Sequence, residues 1–421
     1  MKTTSHLSAL LIFILFSTST FAQGEAAVPF LMINPSPSLS AMGATGAALP
    51  TNDPFAFLWN PAQLGYTSLN NNLSFIFYPS AVDWIPSFRL DLELSALAFN
   101  IGYNFKDIIG FPLSFGFAYS NPEVNFGEFI RTGEGEPQPL GTFEAKDYYN
   151  AYSFGLGMDY YVQLSIGYTI KNVTSILGLG QVGEEQGNGT AETTVNDFGI
   201  LLNVPVIKLI DENLLLPLDV GLNGKPTFDF SLGYSKSNIG DNIYYLDPAQ
   251  ADPLPRIDRT GYGISAGFDL ITKNLQLNLF TVSFTSEAED ILITRDTTGH
   301  WEYQSTWSDL NFWKNVILIE GDENIVSRTG TKLEFIEFFA YYFGHFQGRG
   351  FPDGRETNGY ELRAKGIFKL WALWADDPIT DFLSDHFDII YYNTNYFTNS
   401  FLETHMTGLA FYFHNLNEFF K

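Results

Sequence analysis

Apolar and small or polar residues alternate at every second position from Tyr148 to Lys171, and this pattern constrains the fold more than any other stretch. The first set, interrupted only by Asn150, is apolar and largely aromatic: Tyr148, Tyr152, Phe154, Leu156, Met158, Tyr160, Val162, Leu164, Ile166, Tyr168 and Ile170. Successive side chains of a strand face opposite sides, so the stretch predicts two strands of roughly ten residues with a tight turn near Asp159. Strands about twice the usual length, with little charge on the second face, are typical of a membrane β-barrel.

The first residues of the chain predict export. Lys2 precedes an apolar run over 7–16, and small residues end at Ala22, which is the pattern of a cleaved secretory signal over 1–22. No later stretch offers about 20 apolar residues in a row, so the exported chain would enter a membrane as strands. These features predict localisation in an outer membrane of the Gram-negative type. The chain has no Cys, which excludes a disulfide framework and a thiolate metal site.

The composition agrees with alternating lipid-facing and lumen-facing residues. Aromatic and charged residues each make up 16%, against a charged fraction of about 25% in an average globular protein. The formal net charge of −25 argues against binding to nucleic acid, whose phosphates repel an acidic surface. Many of the acids fall in presumed loops, where they predict a solvated outer surface: Glu134, Glu136, Glu184, Glu185, Glu287, Glu289, Asp290, Asp322 and Glu323.

Alternating runs recur along the chain and predict an all-β fold, a transmembrane antiparallel up-and-down barrel of about 14 strands over 70–421. The runs lie near 72–79, 91–104, 111–121, 148–158, 160–171, 195–204, 227–238, 260–270, 274–285, 329–336, 338–346, 357–369, 386–397 and 402–413. The apolar phase changes near Ser95, which predicts a β-bulge, and Ile336-Glu337 is the expected turn between two strands. Short joins then fall on the periplasmic side and long joins outside, with a short interfacial helix expected over 370–385.

A Gly-, Ala- and Pro-rich segment precedes the strands and does not alternate. It belongs to the expected amino-terminal unit over 23–69 and contains the candidate plug or gate residues Met42, Gly43, Gly46, Trp59, Asn60 and Pro61. Small residues allow a backbone to pass through a crowded space, so the segment could fill the barrel as a plug. A periplasmic linker explains the same composition.

Two motifs carry a resemblance to a known family. The Gly-punctuated stretch ending in Asn60-Pro61-Ala62 resembles the amino-terminal segment of FadL-like outer-membrane proteins. The loop after the strand near 228 resembles the PorV/PorQ branch of that superfamily through Ser237, Asn238, Gly240, Pro253, Pro255 and Arg256. The resemblance implies a docking or cargo-handling role in type IX protein secretion, with a translocon and secreted proteins as partners. The alternative is a FadL-like channel for hydrophobic small molecules. The run Ala340–Gly344 departs from the PorV pattern and weakens the secretion role.

No set of residues predicts catalysis, so the chain is not expected to be an enzyme. After the signal, five His residues are scattered without metal-ligand spacing, and neither a metal nor another cofactor is expected. Gly178–Gly183 fits the dinucleotide fingerprint by its letters, but no helix and no βαβ unit follow it.

The predicted outer loop over 286–328 is unusually apolar. Its candidate docking residues are Trp301, Trp307, Phe312 and Trp313. The loop either folds over the barrel mouth or presents a surface for a protein or a hydrophobic ligand. The facing of the strands also predicts that Ile166→Lys costs about 2–4 kcal/mol in a bilayer, whereas Ser165→Lys costs little beyond crowding of the lumen.

Overall fold

The structure is a computed structural model that describes residues 26–70, 72–88, 92–133, 136–178, 189–219, 221–272, 275–297, 300–304, 308–372, 375 and 378–420. The predicted signal over 1–22, most of the glycine fingerprint and Trp307 lie outside these ranges.

Twenty strands and six α-helices make up the described chain. The strands are β1 (Leu73–Phe77), β2 (Val82–Asp83), β3 (Glu93–Ser95), β4 (Leu97–Asn104), β5 (Leu113–Ser120), β6 (Glu123–Gly133), β7 (Glu136–Tyr160), β8 (Val162–Ile176), β9 (Thr190–Pro205), β10 (Leu216–Asp219), β11 (Leu222–Ile239), β12 (Ile257–Ile271), β13 (Gln276–Ile291), β14 (Ile293–Arg295), β15 (Trp301–Tyr303), β16 (Ile325–Phe335), β17 (Phe339–Gly348), β18 (Phe351–Arg363), β19 (Phe387–Thr398) and β20 (Thr404–Phe413). The helices are α1 (Pro37–Ala41), α2 (Ala62–Thr67), α3 (Lys106–Ile109), α4 (Val206–Ile210), α5 (Ala364–Ala372) and α6 (Pro378–His386), with a π-helix at Phe312–Ile317.

Fourteen of the described strands form a closed antiparallel barrel, as predicted. Around the wall the order is β1, β4, β5, β7, β8, β9, β11, β12, β13, β16, β17, β18, β19 and β20, and β1 then pairs with β20. The smaller strands β2, β3, β6 and β10 extend neighbours of the wall, and β14 pairs with β15. Closure leaves no open sheet edge facing hydrocarbon, where no water can satisfy the backbone.

The side chains of β8 show how the wall is oriented. Leu164, Ile166 and Tyr168 point outward and are exposed, whereas Ser165 and Thr169 between them are buried toward the lumen. The same alternation on the other wall strands gives a barrel with an apolar outer belt and an inner face of small and polar residues, which is a membrane-spanning β-barrel. Among the described residues, no helix combines the length and the apolarity that crossing a membrane requires.

The strands extend beyond the predicted boundaries at one end of the barrel, here called the outer end. β6 and the first half of β7 form a hairpin where a loop over 122–147 was predicted, and β13 continues to Ile291 inside the predicted loop 286–328. Along these extensions the hydrogen-bonded ladder continues although apolar and polar residues no longer alternate: the neighbours Phe129 and Ile130 on β6 are both exposed, and Ser286, Ala288 and Asp290 on β13 are all buried. The apolar alternation therefore ends before the strand does.

Two further predictions at strand ends are wrong. The predicted bulge does not lie on the strand of Ser95, because the pairing Ala98↔Ser120 continues as Ser95↔Glu123 without a change of register. The extra residues lie on the other neighbour, between the pairs Phe77↔Leu97 and Val82↔Leu94. The apolar phase changes near Ser95 because Leu94 points into a packed core at the outer end of the lumen. The predicted strand 357–369 stops at Arg363, and α5 begins at Ala364.

The opposite, inner end carries the short joins. Ile336 and Glu337 both have positive φ, 48° and 50°, which makes the predicted tight turn between β16 and β17. The predicted interfacial helix over 370–385 is instead two helices, α5 and α6. The join 205–226 holds α4 and β10.

Candidate functional site: the plugged lumen

Residues 26–72, called the plug below, run through the lumen from the outer end to the inner end. Near its start, the backbone N–H of Ala27 donates to the carbonyl of Pro253 in an outer loop at 2.9 Å. The ring of Phe30 packs 5.4 Å from that of Tyr149. At its end the plug continues directly into β1. The sequence left a plug and a linker open, and the structure shows the plug.

The plug follows a track of glycines on the inner face of the wall, called the glycine track below. A Cβ placed on any of them would come within 3.0 Å of a plug atom: Gly102, Gly116, Gly155, Gly167, Gly199, Gly233, Gly263, Gly330, Gly344, Gly359 and Gly408. Each of these lies on a different wall strand. At Gly344 that Cβ would be 2.1 Å from the backbone nitrogen of Gly43. The plug therefore rests directly on eleven of the fourteen wall strands, through backbone atoms at some positions, such as Gly155 and Gly344, and through side chains at others, such as Gly116 and Gly408.

Glu287 of β13 anchors the middle of the plug. Its carboxylate accepts hydrogen bonds from the backbone N–H groups of Gly46, Ala47 and Ala48, each at 3.0 Å. The hydroxyl of Thr285 donates to the same carboxylate at 3.2 Å. Three converging N–H groups form an anion-binding concavity, and here a wall side chain occupies it.

Buried ion pairs connect the plug to the wall beside this anchor. Glu289 lies between two guanidinium groups, with Arg259 Nε at 2.7 Å and Arg328 Nη2 at 2.8 Å. Arg259 stacks on the indole of Trp59 at 3.6 Å, and Arg328 donates to the carbonyl of Gly43 at 3.1 Å. The prediction that Glu287 and Glu289 belong to a solvated loop is wrong, since both are buried in the lumen. Their period-two spacing continues the polar face of β13 through Thr281, Ser283 and Thr285, which is the signal that identifies them as wall residues.

The Asn60-Pro61-Ala62 motif fixes the second half of the plug. The side-chain amide of Asn60 donates to the carbonyls of Ala47 at 2.6 Å and Ile200 at 3.3 Å. Its oxygen accepts from the backbone N–H of Ala62 at 3.0 Å, which starts α2. Pro61 packs against Gly167. All six predicted plug residues lie in this packed segment. That they move as a gate stays a prediction.

The predicted motif loop closes the outer end of the lumen. Asn238 has φ of 59°, donates its backbone N–H to Asp197 at 2.8 Å and its side-chain amide to the carbonyl of Pro255 at 2.8 Å. Arg256 donates to the carbonyl of Gly240 at 3.0 Å. Two further motif residues accept hydrogen bonds: the hydroxyl of Ser237 from Arg259, and the carbonyl of Pro253 from the backbone N–H of Ala27. These contacts hold the outer loop over the mouth.

The three predicted docking residues that the structure describes do not form one surface. Trp301 lies in β15 under the guanidinium of Arg295, 4.4 Å away. Phe312 and Trp313 lie on the π-helix, where Trp313 is 68% exposed and Leu318 beside them is also exposed. Val316 of the same helix is buried against the wall. The loop is thus folded against the barrel mouth and presents one apolar patch, here called the outer patch (Phe312, Trp313 and Leu318).

A polar cavity of about 690 Å³ lies between the plug and the inner end. Ion pairs line it: Lys332 Nζ is 2.6 Å from Glu334, and Arg363 reaches Glu334 at 2.9 Å and Asp388 at 3.0 Å. The sequence analysis missed this cluster, although its charges alternate on the lumen face of β16 and β18. Within the described chain no group of three His, Asp or Glu residues is placed to hold a metal ion.

Comparison with known proteins gives distant structural likeness alone. No family model and no curated protein matches the chain. The toluene transporter TbuX of Ralstonia pickettii is similar over 90% of this chain and 98% of its own, with 11% identity and a TM-score of 0.36. The toluene transporter TodX of Pseudomonas putida has 10% identity and a TM-score of 0.37 over 90% and 98%, and the FadL homologue of Pseudomonas aeruginosa has 10% and 0.32 over 90% and 97%.

Proposed function

We propose that this protein is an outer-membrane β-barrel that binds a partner at its outer end and has no catalytic activity. The observation that carries the proposal is the contact of the plug with eleven wall strands along the glycine track. A lumen filled in this way offers no preformed passage for a solute. The outer patch, with Trp313 68% exposed, supplies an apolar surface of the kind that partners bury.

The resemblance to PorV/PorQ proteins supplies a partner for this surface. It implies a translocon subunit or a secreted protein of type IX secretion, and an aromatic patch on a rigid helix suits such a protein partner. The Asn238 and Arg256 contacts support the proposal indirectly, because they fix the outer loops into one platform.

A second candidate is uptake of hydrophobic small molecules through the wall, and the short seam between β1 and β20 favours it. β1 and β20 pair over five residue pairs, from Leu73↔Phe413 to Phe77↔Leu409. The outer part of β20, from Thr404 to Gly408, lies beyond that ladder. Beside it the lumen is packed with apolar side chains that include Tyr78, Trp84 and Met406. A hydrophobic ligand could enter laterally there if the seam widened.

Single-channel conductance in planar bilayers tests the sealed lumen. The intact protein is expected to stay closed, and a deletion of residues 40–62 to give large, persistent openings. Glu287→Ala serves as a second variant in case the deletion fails to fold, and brief openings are expected from it. A stable conductance of the intact protein contradicts the proposal.

A binding and uptake pair of assays separates the two candidates. Outer-membrane proteins of the native organism are captured on the protein in detergent, with Trp313→Ser as the test variant. Trp371→Ser, an exposed Trp at the inner end, is the matched control. Loss of one specific partner in Trp313→Ser alone supports docking. Saturable uptake of labelled fatty acid into liposomes that Trp313→Ser leaves unchanged favours the second candidate instead.

A further inference from the structure

The inner end of the barrel exposes large apolar side chains on the connections between wall strands. Ile108 on α3 is 66% exposed, Ile210 on α4 78%, and Ile379 on α6 65%. Trp371 on α5 and Phe382 on α6 are exposed as well. Soluble turns rarely expose so many large apolar residues together, which indicates that something covers them.

These connections are distributed around the barrel. The helix α3 joins β4 to β5, α4 joins β9 to β11, and α5 with α6 joins β18 to β19. They therefore form an interrupted apolar ring, which we call the inner ring. The inner ring is continuous with the lipid-facing belt, since the wall strands that it joins carry exposed Ile101, Phe115, Ile200 and Leu362 next to it.

The height of the wall at the β1–β20 seam supports a role for this ring. Five residues of β1 extend about 16 Å along the strand, and tilt makes the spanned height smaller still. The apolar band of an outer-membrane barrel is about 25 Å tall. Toward the outer end the next exposed residues are Pro79, Ser80, Ala81 and Asp83, none of which carries a large apolar side chain. The missing apolar height therefore has to come from the inner end, where α3 lies beside this seam.

The helix α5 has the two faces that such a position requires. Toward the barrel, Lys369 is buried, donates to the carbonyl of Gln276 at 2.8 Å and pairs with Glu337 at 2.5 Å. Away from it, Ile367 and Trp371 are exposed. A helix with one polar face fixed on a protein and one apolar face free fits the boundary between acyl chains and headgroups.

We infer that the inner ring is embedded in the phospholipid leaflet that faces the periplasm and completes the hydrophobic belt of the barrel. The occupant of the exposed face is phospholipid: acyl chains against Ile108, Ile210 and Ile379, and headgroup phosphates near the exposed Lys106 and Lys208.

Site-specific fluorescence tests the inference, and the absence of Cys from the chain makes it direct. Single variants Ile108→Cys, Ile210→Cys and Ile379→Cys are labelled with an NBD fluorophore and reconstituted in phosphatidylethanolamine–phosphatidylglycerol vesicles. Ser80→Cys, exposed at the outer end, is the control. Blue-shifted emission and strong quenching by doxyl-labelled phospholipid are expected at the three inner sites, and neither is expected at the control.

Two outcomes overturn the inference. Emission typical of water at the inner sites places the ring in the periplasm, outside the membrane. Blue-shifted emission without quenching by doxyl lipid places protein on the ring, either a second copy of this chain or another subunit. Heat-modifiable gel mobility of each variant confirms that the barrel is folded in every case, so neither outcome can be ascribed to misfolding.

Discussion

At the scale of single residues, Glu287 connects plug and wall through the plug backbone. Its carboxylate accepts from three consecutive backbone N–H groups of the plug, at Gly46, Ala47 and Ala48. Removal of the carboxylate leaves these buried donors without an acceptor. The plug then loses its anchor at the point where it crosses from β13 to β11.

Glu287→Ala is expected to destabilise the protein by about 3 kcal/mol, because one hydrogen bond to a charged group contributes about 1.5–3 kcal/mol. Guanidinium unfolding in detergent micelles, followed by tryptophan fluorescence, measures the change. The exposed Glu302 of β15 provides the control variant Glu302→Ala, for which no measurable change is expected. An equal stability of Glu287→Ala and the intact protein would refute the anchor.

His414, just after β20, makes the folding stability of the protein depend on pH. Burial lowers the pKa of its imidazole to about 3, and the positive charges of Lys365 and Arg363 add to this effect. The unfolded chain takes up a proton at an ordinary pKa of 6.5, and the folded chain does not. The stability contributed by neutral His414 is therefore full above pH 6.5 and is lost progressively as the pH falls toward 3.

His414→Gln is expected to reduce the loss of stability between pH 7 and pH 5, because the variant has no imidazole to protonate. The measurement is the temperature at which heat-modifiable gel mobility is lost at the two pH values. His300→Gln, in an exposed outer loop, is the control and should keep the full dependence. The assignment fails if both variants respond to pH as the intact protein does.

At the scale of elements, the glycine track decides how closely plug and wall can approach. Gly344→Ala would place a Cβ 2.1 Å from the backbone nitrogen of Gly43, so the plug has to shift. Gly178→Ala is the matched control, because its Cβ would meet only Gly189 at 3.7 Å. We expect Gly344→Ala to lower the unfolding temperature and to expose the plug to protease, and Gly178→Ala to do neither. Equal protection of both variants would show that the track does not hold the plug.

The two faces of the wall strands predict opposite responses to a charge. Ile166→Lys puts an ammonium group in lipid and is expected to cost about 2–4 kcal/mol. Ser165 is a poor control, contrary to the expectation from sequence, because it is buried at the level of the packed plug. Ser265 lines the polar inner cavity, so Ser265→Lys should cost little. Folding yield in lipid vesicles compares the variants, and a lower yield for Ser265→Lys would reverse the assigned faces.

The sequence predicts some of these elements and not others, and the difference depends on whether a residue faces lipid, water or protein. Ile166 and its neighbours face lipid, so hydrophobicity alone identifies their strand. Phe129 and Phe143 on the β6–β7 hairpin stack outside the membrane, where hydrophobicity and strand pairing no longer correspond. Small residues such as Gly43 and Gly46 are compatible with a plug and equally with a linker, so the sequence leaves both open. The plug's partners Glu287, Glu289 and Arg328 are not predicted, because pairing across more than 240 residues leaves no local pattern.

At the scale of the whole molecule, the barrel is held most weakly on the two sides of β1. The ladders of β1 with β20 and with β4 have five residue pairs each, whereas the β8–β9 ladder has fourteen, from Gln163↔Asn203 to Ile176↔Thr190. On the β4 side the pairing resumes between β2 and β3, at Val82↔Leu94 and Asp83↔Glu93. Opening of the cylinder should therefore begin at the β1–β20 seam, which fewer cross-strand contacts hold. If lateral entry of a ligand occurs, it uses the β1–β20 seam.

A disulfide across this seam is expected to raise the unfolding temperature more than one placed elsewhere. Ile76 and Ala410 are direct partners across β1 and β20, so Ile76→Cys with Ala410→Cys makes the test pair. Ile166→Cys with Ile200→Cys, partners across β8 and β9, makes the control pair. The increase on oxidation should be larger for the test pair. If the control pair gains as much, opening does not begin at β1.

The position of the plug in the chain has a consequence for biogenesis. The plug precedes β1, ends where the last ladder closes, and touches eleven strands that are synthesised after it. A completed cylinder would have to admit the plug end-on and seat it against the wall glycines, where even an added Cβ would come within 3.0 Å of a plug atom. The wall must instead curl around a segment already lying along its inner surface. In this protein the amino-terminal segment is the template around which the barrel folds. Insertion of the plug and closure of the barrel are then a single event.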